Sequence, residues 1–377
     1  MKYSKFPVPK VREEIKNFAP YIPGRPIDEV KKKYNLKEVI KLASNENPLG
    51  SSKKILVNIK NIVKNIHRYP EGSSLVLREE ISKKFGISKE EVIVGAGTDE
   101  LIEIVAKTFL SLQDNIVVSK HAFIRYKMAG ELMGVKVVEV PMKEFTHDLD
   151  SMLSAIDNKT KIVFIANPNN PTGTYNTEKQ LKSFLTGLVK KKCFPIVVLD
   201  EAYYEYARVE KEYPESLTLR NIYPNILILR TFSKVYGLAG LRVGFGISRR
   251  EIISAMDRVR PPFNGSVFAQ YLACEAIKDQ NHVRKSVEMI DKEKKFIYQQ
   301  LNVMGLKFIP SAANFVLVNV SPYTGQEIFQ ELLKEGVIVR AMDEYELPFW
   351  FRVTISTHSE NLKFIDSLEK VLKKLSL

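Results

Sequence analysis

Short apolar runs alternate with longer amphipathic ones through the middle of this chain, and that alternation limits its possible folds more than any other feature. From about residue 75, EVIVGAG gives way to TDELIEIVAKTFL, NIVVSK to FIRYKMAGELMG and then KVVEV, KIVFIAN to TEKQLKSFLTGLVKK, and PIVVLD is followed by ILILRTF. The short runs have strand length and little polar alternation, so both of their faces must be covered, while the longer runs carry a helical apolar stripe. Such a series predicts an α/β fold with a mainly parallel sheet and helices on both faces. After residue 275 the texture changes: a long charged helical stretch, HVRKSVEMIDKEKKFIYQQL, leads into FVLVNV, EIFQELLKEG, VIVR, FRVTIS and a closing helix. That reads as a smaller α+β domain. The expected division is a large domain over 46–275 and a small one over 276–377, with residues 1–45 forming an N-terminal arm and part of the small domain. A length of 377 residues with 45% hydrophobic composition is enough for two cores. The proline-rich stretch NFAPYIPGRPIDEV in the arm is expected to be extended and laid over other surfaces.

The formal charge of +13 admits a polyanionic partner, but the lysines are scattered through amphipathic segments such as LKEVIKL and SLEKVLKKLSL. No recognition helix, finger spacing or aromatic RNA platform accompanies them, so no nucleic-acid partner is expected; anionic small substrates fit the balance equally well. Two cysteines in apolar contexts make no disulfide framework, five scattered histidines offer no metal-ligand cluster, and no apolar run is long enough to span a bilayer. MKYSKFPVPKVREEIKNF lacks the apolar core of a signal peptide. The expectation is a cytoplasmic protein with no membrane partner and no metal.

In parallel α/β sheets ligands sit beyond the carboxyl ends of the strands. Here the four relevant exits read GAGTDE, NPNNPTG, DEAYYEY and TFSK. In the first, Gly95 and Gly97 allow a tight turn, and the N–H groups of Thr98 and Asp99 open the next helix toward an anion. Glu100 stands where a dinucleotide fingerprint has its third glycine, and the lysine of a P-loop is absent. An ordinary N-cap by Thr98 or Asp99 is the competing reading. Asp200 ends a run of five apolar residues, so its carboxylate needs a cation or a strong donor; a protonated heterocyclic nitrogen or a lysine would serve. Asn169 and Asn170 lie between two prolines, either as turn formers or as amides aimed at a ligand.

TFSK carries Lys234 into a stretch where Gly237, Gly240, Gly244 and Gly246 interrupt apolar residues, a setting that suits neither a solvated helix nor a solvated loop. A buried ammonium loses hydration and its pKa falls, and a lysine neutral near pH 7 is a nucleophile. Snorkelling or pairing with a carboxylate is the ordinary alternative for one lysine taken alone. Taken together, the four exits call for one ligand with a phosphate, a ring nitrogen that prefers to be protonated, a ring hydroxyl and a carbonyl. Pyridoxal 5'-phosphate has all four; Lys234 would attack its carbonyl and Asp200 would hold its pyridinium proton.

At this point the residues resemble a known family. APYIPGRPIDEV, LASNENPLG, RYPEG, GAGTDELIEI, ANPNNPTG, LDEAYYEY, LRTFSKVYGLAGLRVGF, RPPFNGS, PSAANFVLV and GVIVRAM…FRVTIST are similar to segments of the fold type I, aspartate aminotransferase-like pyridoxal-phosphate enzymes. Within them the chain is most similar to the histidinol-phosphate aminotransferase group. The resemblance implies a large cofactor domain with a mainly parallel sheet and a smaller α+β domain. It implies that Lys234 is the Schiff-base lysine, that Asp200 contacts the ring nitrogen, that Tyr203 and Asn170 hold the ring hydroxyl, and that Tyr126 stacks on the ring. Phosphate contacts would come from the Thr98 and Asp99 amides, Thr231, Ser233 and Arg242. Tyr69 would reach the phosphate in a neighbouring subunit, implying a homodimer. Arg352 would grip the substrate's anionic group, with Arg340 and Tyr21 lining the pocket. Two positions depart from the pattern: His121 stands where proline is common, and Leu75 replaces an aromatic after RYPEG.

The activity so implied moves an amino group between histidinol phosphate and 2-oxoglutarate, giving imidazole acetol phosphate and glutamate in histidine biosynthesis. An aromatic amino-acid aminotransferase on the same scaffold is the alternative, and a related decarboxylase of phosphate-ester amino acids a more distant one.

Overall fold

The computed structural model describes residues 10–16, 18, 20 and 24–376. After a two-residue strand β1 (Ile40–Lys41), the apolar runs become β2 (Val92–Gly95), β3 (Asn115–Ser119), β4 (Lys136–Val140), β5 (Thr160–Ala166), β6 (Ile196–Asp200) and β7 (Ile226–Thr231). With β8 (Gly244–Ile247) they form one seven-stranded sheet in the order β2-β8-β7-β6-β5-β3-β4. The pairs β4·β3, β3·β5, β5·β6 and β6·β7 are parallel, and β8 runs antiparallel to both β7 and β2. Both faces are buried, as the lack of polar alternation demanded. Val163, Ile165, Val197, Leu199, Ile226 and Ile228 enter one core, while Ile162, Phe164, Ile196, Val198, Leu227 and Leu229 enter the other. The same period of two carries Asp200 and Thr231 toward the second face, where Tyr126 also packs.

The glycine-interrupted stretch after Lys234 resolves into β8. A Cβ on Gly244 would lie 3.0 Å from both the carbonyl carbon of Gly97 and the nitrogen of Thr98. Glycine there lets the helix Thr98–Phe109 set its N-terminus directly on the strand.

The C-terminal part opens with the 24-residue helix Gln280–Val303. It contains a four-stranded sheet of β9 (Phe308–Ile309), β10 (Phe315–Asn319), β12 (Arg340–Ala341) and β13 (Trp350–Thr354), while β11 (Val337–Ile338) pairs in parallel with β1. Further hydrogen bonds run from the Leu42 N–H to the Ile338 carbonyl at 2.7 Å and from the Thr354 N–H to the Leu42 carbonyl at 2.8 Å. The N-terminal segment is thereby threaded between the two sheets, which delivers Ser44 and Asn45 to the site.

The arm differs from the extended reading. Its IDEV residues begin a helix, Ile27–Tyr34, whose N-cap position is Pro26 in an extended conformation and whose first turn holds Asp28 and Glu29. Proline suits a helix start because no intrahelical partner exists there for an N–H, and acidic side chains favour the positive end of the helix dipole. Tyr21 lies outside the described residues. Among those described, no helix is long and apolar enough to cross a membrane and no cluster of side chains could hold a metal ion.

Behind the site, on the opposite face of the sheet, β7 buries a complete arginine. Arg230 is 1% exposed, donates from Nε to Glu201 Oε2 at 2.9 Å, and lies 3.5 Å from the centroid of the Tyr204 ring. Burial pushes the carboxyl groups of Glu201 and Glu205 upward, opposed by the Arg230 charge. Arg230→Met should therefore cost about 3–5 kcal/mol, because it leaves buried carboxylates without their cation. A second change, Glu201→Leu, should recover much of the loss. The urea midpoints of the single and double variants measure both effects; an unshifted midpoint for Arg230→Met would show that the pair carries no stability.

Candidate active site

Four strand ends converge on a cavity of about 200 Å³ lined by Thr98, Asp99, Tyr126, Asn170, Asp200, Tyr203, Thr231, Ser233, Lys234, Arg242, Arg340 and Arg352. The sequence reading proposed twelve of its lining residues from segments spread over more than 250 positions, and the topology brings them together. Tyr69 is absent from the lining; it is 82% exposed and stacks on Phe263 with ring centroids 4.7 Å apart.

Lys234 follows β7 and its Nζ donates to the Ser44 carbonyl at 3.1 Å. Burial, and then the positive charge of Arg352, lower its pKa to about 8, with Glu46 and Asp99 opposing. An accessible ammonium would stay charged well above pH 9; this one gives up its proton around pH 8.

Asp200 ends β6 and is 5% exposed. Its Oδ2 accepts from the Tyr126 hydroxyl at 2.7 Å and its Oδ1 from the Ala202 N–H at 3.1 Å. Burial raises its pKa to about 6, against these two donors. Tyr126 is itself pushed far above the usual phenol range, first by burial and then by the Asp200 charge, so it stays protonated and donates to Asp200. One face of Tyr126 rests on Phe164, with centroids 4.8 Å apart, while Phe123 meets it edge-on and also lines the cavity. Tyr126→Phe should raise the Asp200 pKa, since it removes a donor that favours the ionised form. A hydrogen bond to a charged group of about 1.5–3 kcal/mol corresponds to an upward move of about one to two units in the acid limb of the activity profile. An unmoved limb would leave Tyr126 with packing alone.

The tight turn and the open helix start expected of GAGTDE are present in the geometry. Gly97 is the N-cap at φ 85° and no side chain caps the helix, so neither Thr98 nor Asp99 serves as cap and both begin the first turn. A Cβ on Gly97 would lie 2.7 Å from Nη2 of Arg242. Arg242 adopts the left-handed conformation at φ 52° and donates to Ser233 Oγ at 3.4 Å and to the Ala239 carbonyl at 3.1 Å; its Nη2 lies 3.6 Å from Asp99 Oδ2. Helix N–H groups, Thr231, Ser233 and a guanidinium thus surround one end of the cavity. That set suits a phosphate dianion.

The two asparagines divide the readings between them. Asn169 is fully buried and locks the turn: its N–H donates to the Thr174 carbonyl at 2.8 Å and its Nδ2 to Thr172 Oγ1 at 2.9 Å. Asn170 faces the cavity and accepts through Oδ1 from Arg352 Nη1, so its amide nitrogen is presented as a donor. Arg352 also donates from Nη2 to the Ala43 carbonyl at 2.6 Å, and its Nε is buried without a hydrogen-bond partner. Arg340 is held by Glu344, with Nε 3.2 Å from Oε1.

Sequence reasoning assigned no role to Ser44, Asn45, Phe123, Glu344 or Tyr345, all of which line the cavity. Asn45, in the left-handed conformation at φ 56°, donates from Nδ2 to the Tyr203 hydroxyl at 2.8 Å and accepts from Thr354 at 3.1 Å. Its signals were the polar SNENP and the family resemblance of LASNENPLG, neither of which named a partner.

A parallel-stranded α/β sheet that gathers a low-pKa lysine, a buried carboxylate and an uncapped helix N-terminus on one cavity is the framework of a fold type I transferase. The chain belongs to the aminotransferase class I and II family, whose model matches residues 37–368. It is 44% identical to the histidinol-phosphate aminotransferase of Moorella thermoacetica over 366 residues, 97% of this chain and 94% of that one. It is similar to the crystal structure of the histidinol-phosphate aminotransferase from Clostridium acetobutylicum at 27% identity and a TM-score of 0.82, covering 89% of this chain and all of that one. The fold also matches the crystal structure of the Sinorhizobium meliloti enzyme of the same name in complex with pyridoxal-5'-phosphate. That match has a TM-score of 0.88 and 24% identity, covering 98% of this chain and 99% of that one.

Proposed function

We propose that this chain is a pyridoxal-phosphate-dependent aminotransferase that converts L-histidinol phosphate and 2-oxoglutarate to imidazole acetol phosphate and L-glutamate, in histidine biosynthesis. One observation carries the reading: the Lys234 amine, the Asp200 carboxylate and the phosphate-binding helix end line a single cavity that also holds two substrate-facing arginines. Bound there, the cofactor supplies an aldehyde for amines to condense with and a pyridinium ring that delocalises the electron pair left when the substrate loses its α-proton.

The chain's own residues do the rest. Asp200 would meet the ring nitrogen as a carboxylate and keep it protonated, with the Tyr126 hydroxyl donating to that carboxylate. Tyr203, oriented by Asn45, and the amide of Asn170 donate to the ring hydroxyl. Tyr126 and Phe123 supply the aromatic wall. The Thr98 and Asp99 amides, Thr231, Ser233 and Arg242 take the cofactor phosphate. Nζ of Lys234, with its pKa lowered to about 8, would hold the aldehyde end of the cofactor and is the amine placed to move the substrate's α-proton.

Arg352 takes the anionic group of either substrate. Its guanidinium is already aimed by Asn170, Ala43 and the Phe315 ring 5.2 Å away. The working form is a homodimer in which the exposed Tyr69, backed by Phe263, reaches the cofactor phosphate of the neighbouring subunit, and Tyr21 contacts the substrate phosphate.

The deciding measurement is kcat/KM of the cofactor-loaded protein on histidinol phosphate against phenylalanine and tyrosine. Preference for histidinol phosphate supports the reading. A large preference for the aromatic amino acids would assign the scaffold to aromatic transamination, leaving Lys234 and Asp200 in their roles.

A further inference from the structure

The two arginines of the site stand directly opposite each other. Arg340 on β12 and Arg352 on β13 are cross-strand partners in an antiparallel pair, so two guanidinium groups of the same sign share one end of the cavity. Like charges so placed repel, and an arginine that is to receive a ligand anion must not be satisfied beforehand. The surroundings treat the two differently. Arg352 is held by neutral acceptors, the Asn170 side chain and the Ala43 carbonyl, and keeps its net charge. Arg340 is held by a carboxylate: Glu344, four residues on, receives both Nε at 3.2 Å and Nη2 on the same oxygen. Both partners are mostly buried, with side-chain exposures of 13% and 19%, so water screens this ion pair less than it would a surface pair. Glu344 belongs to the short turn Asp343–Tyr345, which is tied to the large sheet's side by His121 Nδ1 at 2.5 Å from the Tyr345 carbonyl and by the Lys120–Glu346 pair at 2.7 Å. The turn that carries Glu344 is thereby anchored beside the pocket.

We propose that Glu344 is a specificity-determining residue, an internal carboxylate that occupies Arg340 and must be displaced by the second anionic group of a dicarboxylate substrate. A ligand with one carboxylate meets Arg352 alone and leaves the Arg340–Glu344 pair intact. A ligand with two, such as glutamate or 2-oxoglutarate, gains Arg340 only by separating it from Glu344, and the uncovered carboxylate then faces the incoming anion. Glu344 thus weakens dicarboxylates relative to ligands of one anionic group, and lets one cavity serve both without two uncompensated cations in the empty state. The inference deepens the aminotransferase reading above and rests on it only for the use of a dicarboxylate substrate.

The test uses non-reacting ligands on the cofactor-loaded protein. Glutarate and butyrate carry the same three carbons beyond the shared carboxylate, and glutarate adds a second carboxylate on the last of them. Glu344→Gln removes the competing charge and keeps the shape, so glutarate should bind about tenfold more tightly while butyrate is unchanged. In an Arg340→Ala background the Glu344→Gln change no longer frees a guanidinium, so its effect on glutarate should shrink to the relief of charge repulsion alone. In turnover, KM for 2-oxoglutarate should fall relative to that for phenylpyruvate. Glutarate affinity unchanged or weakened by Glu344→Gln would overturn the proposal, making Glu344 an orienting support for Arg340. So would equal tightening of glutarate and butyrate. Failure of wild-type protein to turn over histidinol phosphate would count against the substrate reading and leave the glutarate–butyrate comparison intact.

Discussion

Lys234→Ala should abolish transamination, leaving at most the background rate of free cofactor with amino acids. The amine is the only part of the site that this change removes from the reaction; the phosphate cradle, Asp200 and the aromatic wall remain, so the variant should still bind pyridoxal phosphate, though more weakly. Borohydride treatment of loaded wild-type protein should leave the reduced cofactor on the peptide containing Lys234, and none should be recovered on that peptide from the variant. An unmodified Lys234 in loaded, reduced and digested wild-type protein would sink the assignment. The lowered pKa adds a pH dependence to cofactor capture. With a pKa of about 8 the nucleophilic, neutral form grows as pH rises through that value. Stopped-flow capture of free pyridoxal phosphate by the apoprotein should therefore speed up by roughly tenfold between pH 7 and pH 9 and then level off. A lysine with its ordinary pKa would show no plateau below pH 10.

Asp200→Asn should lower kcat by a factor on the order of 10² or more, with a much smaller effect on substrate KM. Asparagine keeps the shape and can still accept the Ala202 N–H, but it brings no negative charge to the ring nitrogen, and preorganised charge of this kind is where most transition-state stabilisation resides. Turnover should depend on the ionised carboxylate, so it should fall as pH drops through the folded pKa. That value is about 6, and a cation facing the carboxylate lowers it, because an opposite charge favours ionisation. A near-normal kcat for the asparagine variant would make Asp200 a structural partner of Tyr126 and nothing more.

Much of this was legible in the sequence, for local reasons. Strands buried on both faces have to be continuous apolar runs, so β2, β3, β5, β6 and β7 announced themselves, and the polar residues that end them had to lie at the sheet's carboxyl edge. The strand β8 was harder to see, because Gly244 and Gly246 are there to admit backbone neighbours and side chains that come from elsewhere in the chain. The helix Ile27–Tyr34 was hidden by the prolines ahead of it, one of which turned out to be its N-cap.

What the sequence determined by itself was the layered α/β fold, the positions of Lys234, Asp200, Asn170 and the Thr98 helix end, and hence the class of cofactor they suit. Only the tertiary structure decided their partners. Asn45 reaches Tyr203 across 158 residues, Tyr126 reaches Asp200 across 74, and Arg352 reaches Ala43 across 309. Even Glu344, only four residues from Arg340, gained meaning from a strand register that sets Arg340 opposite Arg352. Periodicity along a chain encodes which face of an element is buried, because that is set by backbone geometry repeated every two or 3.6 residues. It does not encode which distant side chain meets another, because that depends on sheet order and on where the chain returns.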